Sequence, residues 1–279
     1  MKNLILMLTL TILCACGKSN LPDFNKLEKL RILAFQTPTP EVNPGATVTL
    51  NPIISDINAT AMTHSASACI DPGVSYGAEP TCVGNPTQVI VATNVALSLP
   101  GAAESWTGLA NAFNVTVPIQ AVIFAGRTAA EQFNGVSYLV EYTLTNNLGQ
   151  TERAIKRIIV SIASKTAKNQ NPNATNIFAN GAALTTLALG SEFVVTTDLT
   201  IASAEGYNLQ NSLGSSSAYT ETLTTTWFTT DGKTKYFRSS GVDSNTFTAP
   251  DAAPAGRSIY LMAVTRDDRG GVNLVKKKL

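Results

Sequence analysis

The sequence predicts an all-β protein made of two tandem β-sandwich domains. Three observations carry that expectation. Val136, Tyr138, Val140, Tyr142 and Leu144 alternate with Ser137, Leu139, Glu141 and Thr143, the period of two that sends successive side chains to opposite faces of a strand. Turn chemistry recurs at Asn43-Pro44-Gly45, Asn146-Asn147-Leu148-Gly149, Asp231-Gly232 and Asp267-Asp268-Arg269-Gly270-Gly271, where Pro presets φ and Gly or Asn accepts positive φ. Charged residues make up only 14% of the chain, a makeup suited to exported β-rich proteins with polar, weakly charged surfaces.

The amino end is read first, because it sets which residues belong to the fold. Met1-Lys2-Asn3 is a short positive start, and Leu4 to Leu13 is an apolar run interrupted by Thr9 and Thr11. A membrane-spanning helix needs ~20 apolar residues. This run has instead the length of a signal-peptide core, so residues 1–15 are set aside from the fold. It ends in Leu13-Cys14-Ala15-Cys16, which resembles the lipobox of bacterial lipoproteins at every position. The resemblance implies cleavage after Ala15, lipid attachment to the sulfur of Cys16, and acylation of the new amino group. Gly rather than Asp at position 17 implies, by the same resemblance, the outer membrane, with either face open. Residues 16–29 are then a lipidated tether. One acyl chain holds a protein to a bilayer only marginally, whereas several on one residue hold it stably.

The first sandwich is assigned to residues 30–164. Leu30 to Phe35 reads as its first strand, and Thr37-Pro38-Thr39-Pro40 breaks the ladder. Ala46 to Ile54 resumes with apolar residues at spacing two. Pro40-Glu41-Val42-Asn43-Pro44-Gly45-Ala46-Thr47-Val48-Thr49-Leu50 resembles the opening of immunoglobulin-like domains in bacterial surface lipoproteins. Gln88 to Leu99 and Phe113 to Phe124 are further β-rich stretches, and 102–112 is read as loop or short helix. Thr128 to Phe133 is read as a helical turn. The hairpin from Val136 to Ile162 closes the domain. Cys69 and Cys82 are the cysteines left once Cys14 leaves with the leader and Cys16 takes lipid. In an oxidising compartment they are expected to form a disulfide across a loop rich in Pro and Gly.

The polar run in 165–176 is taken as a linker, and 177–279 as the second sandwich. Glu192 to Leu199, Thr222 to Thr229 with Trp227, Ile259 to Thr265 and Val272 to Leu279 read as strands. Leu184 to Leu189 reads as another, and Ala202 to Ser217 as a long loop. The order Trp227, Asp231-Gly232, Phe247-Thr248-Ala249-Pro250 and Tyr260 to Val264 resembles immunoglobulin- or PKD-like domains, which implies a core tryptophan. Each half ends in a hairpin, so the two read as distant tandem modules.

Composition excludes some function classes. Loss of Lys2 with the leader leaves 19 basic against 19 acidic residues, which gives no case for nucleic acid. No phosphate-cradling Gly-rich loop, HExxH, CxxC or EF-hand pattern occurs. His64 is the single histidine, and Thr63-His64-Ser65 reads as a polar surface loop rather than a nucleophile relay. Glu104, Glu131 and Glu141 are the acids weighed for a hydrolytic pair, with nothing joining two of them. Asp267 and Asp268 offer hard oxygens to calcium, but Asp bonding its own turn is the favoured reading. Lys276-Lys277-Lys278 reads as a solvated tail or an edge-strand guard. No catalytic residue, metal or cofactor is assigned. The expected role is non-enzymatic: a lipid-anchored envelope protein that adheres, binds or spaces, its partners being the membrane and an envelope protein or glycan. The alternatives are an envelope carbohydrate-active hydrolase using two carboxylates, or a subunit of an outer-membrane assembly.

Overall fold

Period-two sequence becomes mainly antiparallel pairing in the computed structural model, which describes residues 24–73, 79–97, 106–186 and 188–279. The first half contains β1 (Arg31–Gln36), β2 (Glu41–Val42), β3 (Thr47–Asp56), β4 (Met62–Ile70), β5 (Val89–Leu97), β6 (Trp106–Leu109), β7 (Phe113–Thr116), β8 (Val136–Asn146) and β9 (Thr151–Val160). Two short helices, α1 (Gln120–Ile123) and α2 (Ala129–Asn134), lie between β7 and β8. The second half contains β10 (Ile177–Ala179), β11 (Ala182–Ala183), β12 (Glu192–Thr197), β13 (Gly206–Gln210), β14 (Ser216–Thr220), β15 (Thr224–Thr229), β16 (Lys233–Thr234), β17 (Arg238–Ser240), β18 (Asn245–Thr248), β19 (Tyr260–Arg266) and β20 (Val272–Lys278).

Each half is a sandwich of two sheets. In the first, the sheet β2-β9-β8-β4-β5 faces the sheet β1-β3-β6, with β7 also paired to β3. Val48, Leu50 and Val115 meet Tyr138, Val140 and Ile158 between them, and Phe35 and Ile54 meet Tyr142 and Leu144 farther along. In the second, β11-β10-β12-β18-β16 faces β17-β15-β19-β20, and Trp227, Leu261 and Ala263 meet Ile177, Val195 and Phe247. The chain is thus the all-β sandwich protein its alternation predicts.

A third core joins the halves. Leu27, Leu33 and Ile53 pack with Phe228, Met262, Val264 and Val272. Adjacent residues on a strand point to opposite faces. Ile53 therefore reaches this shared core while Ile54 fills the first sandwich, and Phe228 reaches it while Trp227 fills the second. Burial on both faces explains why Ile53 to Asp56 and Tyr260 to Thr265 are buried without alternation. Four sheets consequently stack in sequence. The strip 165–171, read from its polarity as a spacer, runs through the seam with Lys165 and Asn169 buried.

Other local expectations change for identifiable reasons. Trp106–Leu109 is a strand because it completes the ladder of β3. Residues 202–217 include β13, which pairs with β14 as a hairpin despite an exposed, polar composition. A strand is expected at 184–189; β11 forms just before it at Ala182–Ala183, and Leu184 is buried beyond it. His64 lies in β4, not in a surface loop. It is 4% exposed and stacks on Tyr142 at 5.2 Å, with Phe113 at 5.6 Å. The local polarity of Thr63 and Ser65 hides this, because they face away from the core side of a strand that buries His64.

Burial holds the His64 imidazole below its ordinary value, opposed by the Val95 backbone. The native state therefore binds a proton less readily than the unfolded chain. The resulting stability is fully present above about pH 6.5 and declines as pH falls toward the native value. Thermal melts of His64→Phe and the unaltered chain are expected to diverge below pH 6.5 by up to ~1.4 kcal/mol per pH unit. A constant difference from pH 7.5 to 5 would remove that account.

Cys69 and Cys82 form a disulfide with Cα atoms 5.5 Å apart. The bridge and Leu139 make a small buried cluster on the outer face of β8. The bridge covers a face that alternation alone would leave wet, so Leu139 is fully buried, and Glu141 on the same face pairs with Arg153. The sequence separation is 13, and removing the bridge by Cys69→Ala/Cys82→Ala is expected to lower unfolding free energy by about 3 kcal/mol. Denaturant unfolding with and without reductant measures it, and reductant should affect only the unaltered chain. Cys16 lies outside the described residues.

Candidate functional site

Among the described residues, the seam between the halves gathers a dense set of ionisable side chains. It is built around the β19–β20 turn. Asp267 Oδ1 accepts from the backbone N–H of Arg269 at 2.8 Å and of Gly271 at 2.7 Å, so the turn closes on its own aspartate. Gly271 is required there: a Cβ would lie 2.1 Å from Asp267 Oδ2 and 2.8 Å from the Gln170 carbonyl oxygen. This is the turn role expected of Asp267, while Asp268 lines a cleft beside it.

The turn projects Arg269 across the seam. Its Nη2 lies 3.0 Å from Glu41 Oε2, and its Nη1 lies 3.1 Å from Glu221 Oε1 and 3.7 Å from Glu205 Oε2. Its guanidinium covers the Tyr207 ring at 4.6 Å. Glu41, from the two-residue strand β2, also meets Lys165 Nζ at 2.7 Å and accepts from the Asn169 N–H at 2.9 Å. Asn169 Nδ2 then donates to Asp267 Oδ2 at 3.2 Å. Farther along the strip, Asn171 donates to the Thr37 carbonyl and accepts from the Val272 N–H.

Burial and partners set the charges. Burial alone would raise Glu41, but Lys165, Ser161 and the Asn169 amide overcome it and hold the carboxyl below its ordinary range. Glu221 goes the other way. Burial lifts it to about 7; the Asp267 and Glu205 charges add to this, and the Glu205 amide and Arg269 oppose it. Burial also lowers Lys156, next to the same turn, to about 8, with Asp267 opposing.

The β13–β14 hairpin closes over one side of the seam. Tyr207 and Tyr219 stack across it at 5.8 Å. Its end is held to the first half by Asn134, which donates to the Gln210 carbonyl at 2.8 Å and accepts from the Gln210 N–H at 2.7 Å. Asn134 is placed by α2, whose start is capped reciprocally by Thr128 and Glu131. Two openings flank the cluster. One, of about 380 Å³, is lined by Asn134, Arg157, Tyr207, Leu209 and Asp268; the other, of about 610 Å³, by Asn171, Asn173, Ser203, Glu205 and Glu221. Such walls suit a polar ligand with one apolar face, through an aromatic ring, amides and fixed charges.

The acids singled out from sequence are placed elsewhere. Glu131 serves the α2 cap and Glu141 pairs with Arg153. Glu104 lies outside the described residues. The seam residues Glu41, Lys165, Glu205, Glu221 and Arg269 carry no local pattern that nominates them. Their one sequence signal is a charged residue, Glu41, inside a stretch otherwise read as strand and turn.

No family model matches the chain, and neither does any curated protein sequence. Among solved structures, red sea bream transglutaminase aligns over 91% of this chain at 9% identity and a TM-score of 0.27. The chain spans 31% of that structure's length, and a likeness of this size carries no argument.

Proposed function

We propose that this chain is a non-enzymatic, lipid-anchored module of a bacterial cell envelope, which holds a binding cleft rigidly away from its anchor. The observation that supports it most is the way the two sandwiches are joined. A common apolar core and the buried Glu41–Lys165–Arg269 cluster both cross the seam. A flexible linker would let the halves drift, whereas this seam makes them one stiff body. The lipobox-like Leu13-Cys14-Ala15-Cys16 supplies the anchor. The seam cleft, with Tyr207 and Asn134 on its wall, is where a glycan or a protein segment of the envelope would bind. Intact mass and fractionation test the anchor. The unaltered chain should carry acyl mass on Cys16 and sediment with membranes, and Cys16→Ser should do neither. Equal fractions and equal masses would overturn the proposal.

One observation favours a carbohydrate-active hydrolase instead. Glu205 and Glu221 contact the same guanidinium nitrogen, which brings together two carboxylates of the kind a glycosidase pair needs. Against it, Arg269 stands between the two carboxylates where water and a glycosidic oxygen would need to sit. Glycan hydrolysis by the purified chain that Glu221→Gln abolishes would replace the binding role with this one.

A further inference from the structure

The face around Phe24, Tyr236 and Phe237 is built unlike the rest of the surface. These three rings are 69%, 53% and 40% exposed; Phe24 and Phe237 meet, and Tyr236 is the chain neighbour of Phe237. Phe24 lies 6.5 Å from Phe237, which packs edge-on against the partly exposed side of the shared core at Phe228, 5.8 Å away. Cations ring the aromatic surface. Lys235 Nζ sits 5.3 Å from the Tyr236 ring and the Arg238 guanidinium 5.9 Å from the Phe237 ring. Lys233 precedes them on the same exposed segment, and Lys29 and Arg31 line the adjoining groove with Phe24, Phe237 and Arg238. Of the nearby acids, Glu28 is paired with Lys26 at 2.7 Å and Asp231 with Arg257 at 2.6 Å. Glu152 lines the groove, and Asp243 sits at the turn beyond Ser240.

The patch is also where the described chain begins. Residues 25–27 run alongside β15: the Thr229 N–H donates to the Asn25 carbonyl at 2.9 Å and the Leu27 N–H to the Thr229 carbonyl at 2.8 Å. Asn25 Nδ2 adds a bond to the Thr234 carbonyl at 3.2 Å, which ties the same residue to the segment bearing Lys235 to Arg238. Phe24 follows Cys16 by eight residue steps. Fully extended, they reach at most about 29 Å.

We infer that this aromatic and basic face docks on the surface of an anionic lipid bilayer, so that the body lies against the membrane rather than swinging from its tether. The inference rests on lipid attachment at Cys16. Rings with a polar tip and cations on flexible stems belong together at the headgroup level, where the ring buries its apolar body and the ammonium or guanidinium meets phosphate. Each Lys or Arg near an anionic surface raises affinity about fivefold. A tether this short keeps the patch at a high effective concentration beside the headgroups, so a contact too weak to bind alone suffices. Docking there leaves the seam cleft, on another part of the molecule, as the surface offered to partners.

The test uses the full lipidated chain carrying Phe24→Trp, in vesicles of phosphatidylcholine with phosphatidylglycerol. Flotation reports the anchor, and quenching of tryptophan emission by brominated acyl chains reports the patch. The variant should float and be quenched more than the unaltered chain. The extra quenching should fall in high salt and in pure phosphatidylcholine. Adding Lys233→Gln, Lys235→Gln and Arg238→Gln should lower the docked-to-free ratio roughly a hundredfold while flotation persists. Flotation without extra quenching overturns the docking face and leaves the anchor intact, which would assign these rings to a protein partner. Loss of flotation overturns the anchor, and docking with it.

Discussion

Replacing Glu41 by alanine is expected to lower the unfolding free energy by about 3–5 kcal/mol, a large part of a typical domain's total. The carboxylate is 2% exposed and is shared by Lys165, itself 5% exposed, and Arg269. Removing it leaves Lys165 without its carboxylate in a poorly solvated seam, leaves Arg269 with Glu221 and Glu205 alone, and deprives the Asn169 N–H of its acceptor. The expected loss is therefore mostly the uncompensated charge rather than the attraction itself. A second variant separates the two effects. Glu41→Met with Lys165→Met removes one cation along with the anion and should recover part of the loss, because burying a pair is costly for both members. Urea unfolding at pH 7 measures all three proteins. The pH dependence has a definite sign. Glu41 is held below its ordinary value, so its contribution is fully present above about pH 4.5 and lost as pH falls through the native value. The gap between the unaltered chain and Glu41→Ala should narrow in acid. A loss below 1 kcal/mol at pH 7 would show that the seam is solvated and the cluster energetically idle.

Trp227→Ala should cost a similar amount, about 3–5 kcal/mol, by a different mechanism. Trp227 is fully buried at the centre of the second sandwich, where it packs with Phe247 and Leu261. Its indole N–H also donates to Ser239 Oγ at 3.0 Å, so truncation leaves both a cavity and an unmet acceptor. Trp227→Phe retains much of the volume and should lose less. The informative result concerns the first sandwich. Because Phe228, Met262 and Val264 present the back of the same sheet to Leu33 and Ile53, melting the second half exposes the first half's outer face. Unfolding of the unaltered chain should therefore be one transition, and Trp227→Ala should shift it whole. Hydrogen exchange at Tyr138 to Tyr142 should accelerate along with that at Leu261 to Val264. A variant whose second half melts first, with 138–142 still protected, would contradict the coupling.

Strands whose two faces differ were legible from local pattern. The alternation in 136–144 foretold β8, and Asn146 to Gly149 foretold the turn into β9. Asp231-Gly232 and Asp267 to Gly271 foretold turns for a reason the coordinates bear out: Gly232 and Gly270 have φ of 76° and 99°. Trp227 was expected in a core and is in one. The pattern misled wherever a second layer covers the outer face. Tyr138 to Tyr142 is buried throughout because the Cys69–Cys82 bridge packs on its outer face at Leu139. Polar composition misled as well. His64 sits between polar neighbours that point the other way, and the strip from Lys165 to Asn171 is polar because it answers charges in the seam, not because it meets water.

By itself, then, the amino-acid order determined the fold class, most turns, the pairing of Cys69 with Cys82, and the expectation of an anchor at Cys16. Those are properties of short segments, set by period, by backbone freedom at Gly and Pro, and by cysteine arithmetic. Only the tertiary structure decided that the two sandwiches share a core, and that Glu41 meets Arg269 from 228 residues away. It also decided that Phe24 lies beside Phe237. The physical reason is one of range: a strand's own residues say which face is apolar, but not what will lie against it, and every candidate site here is made by that second surface.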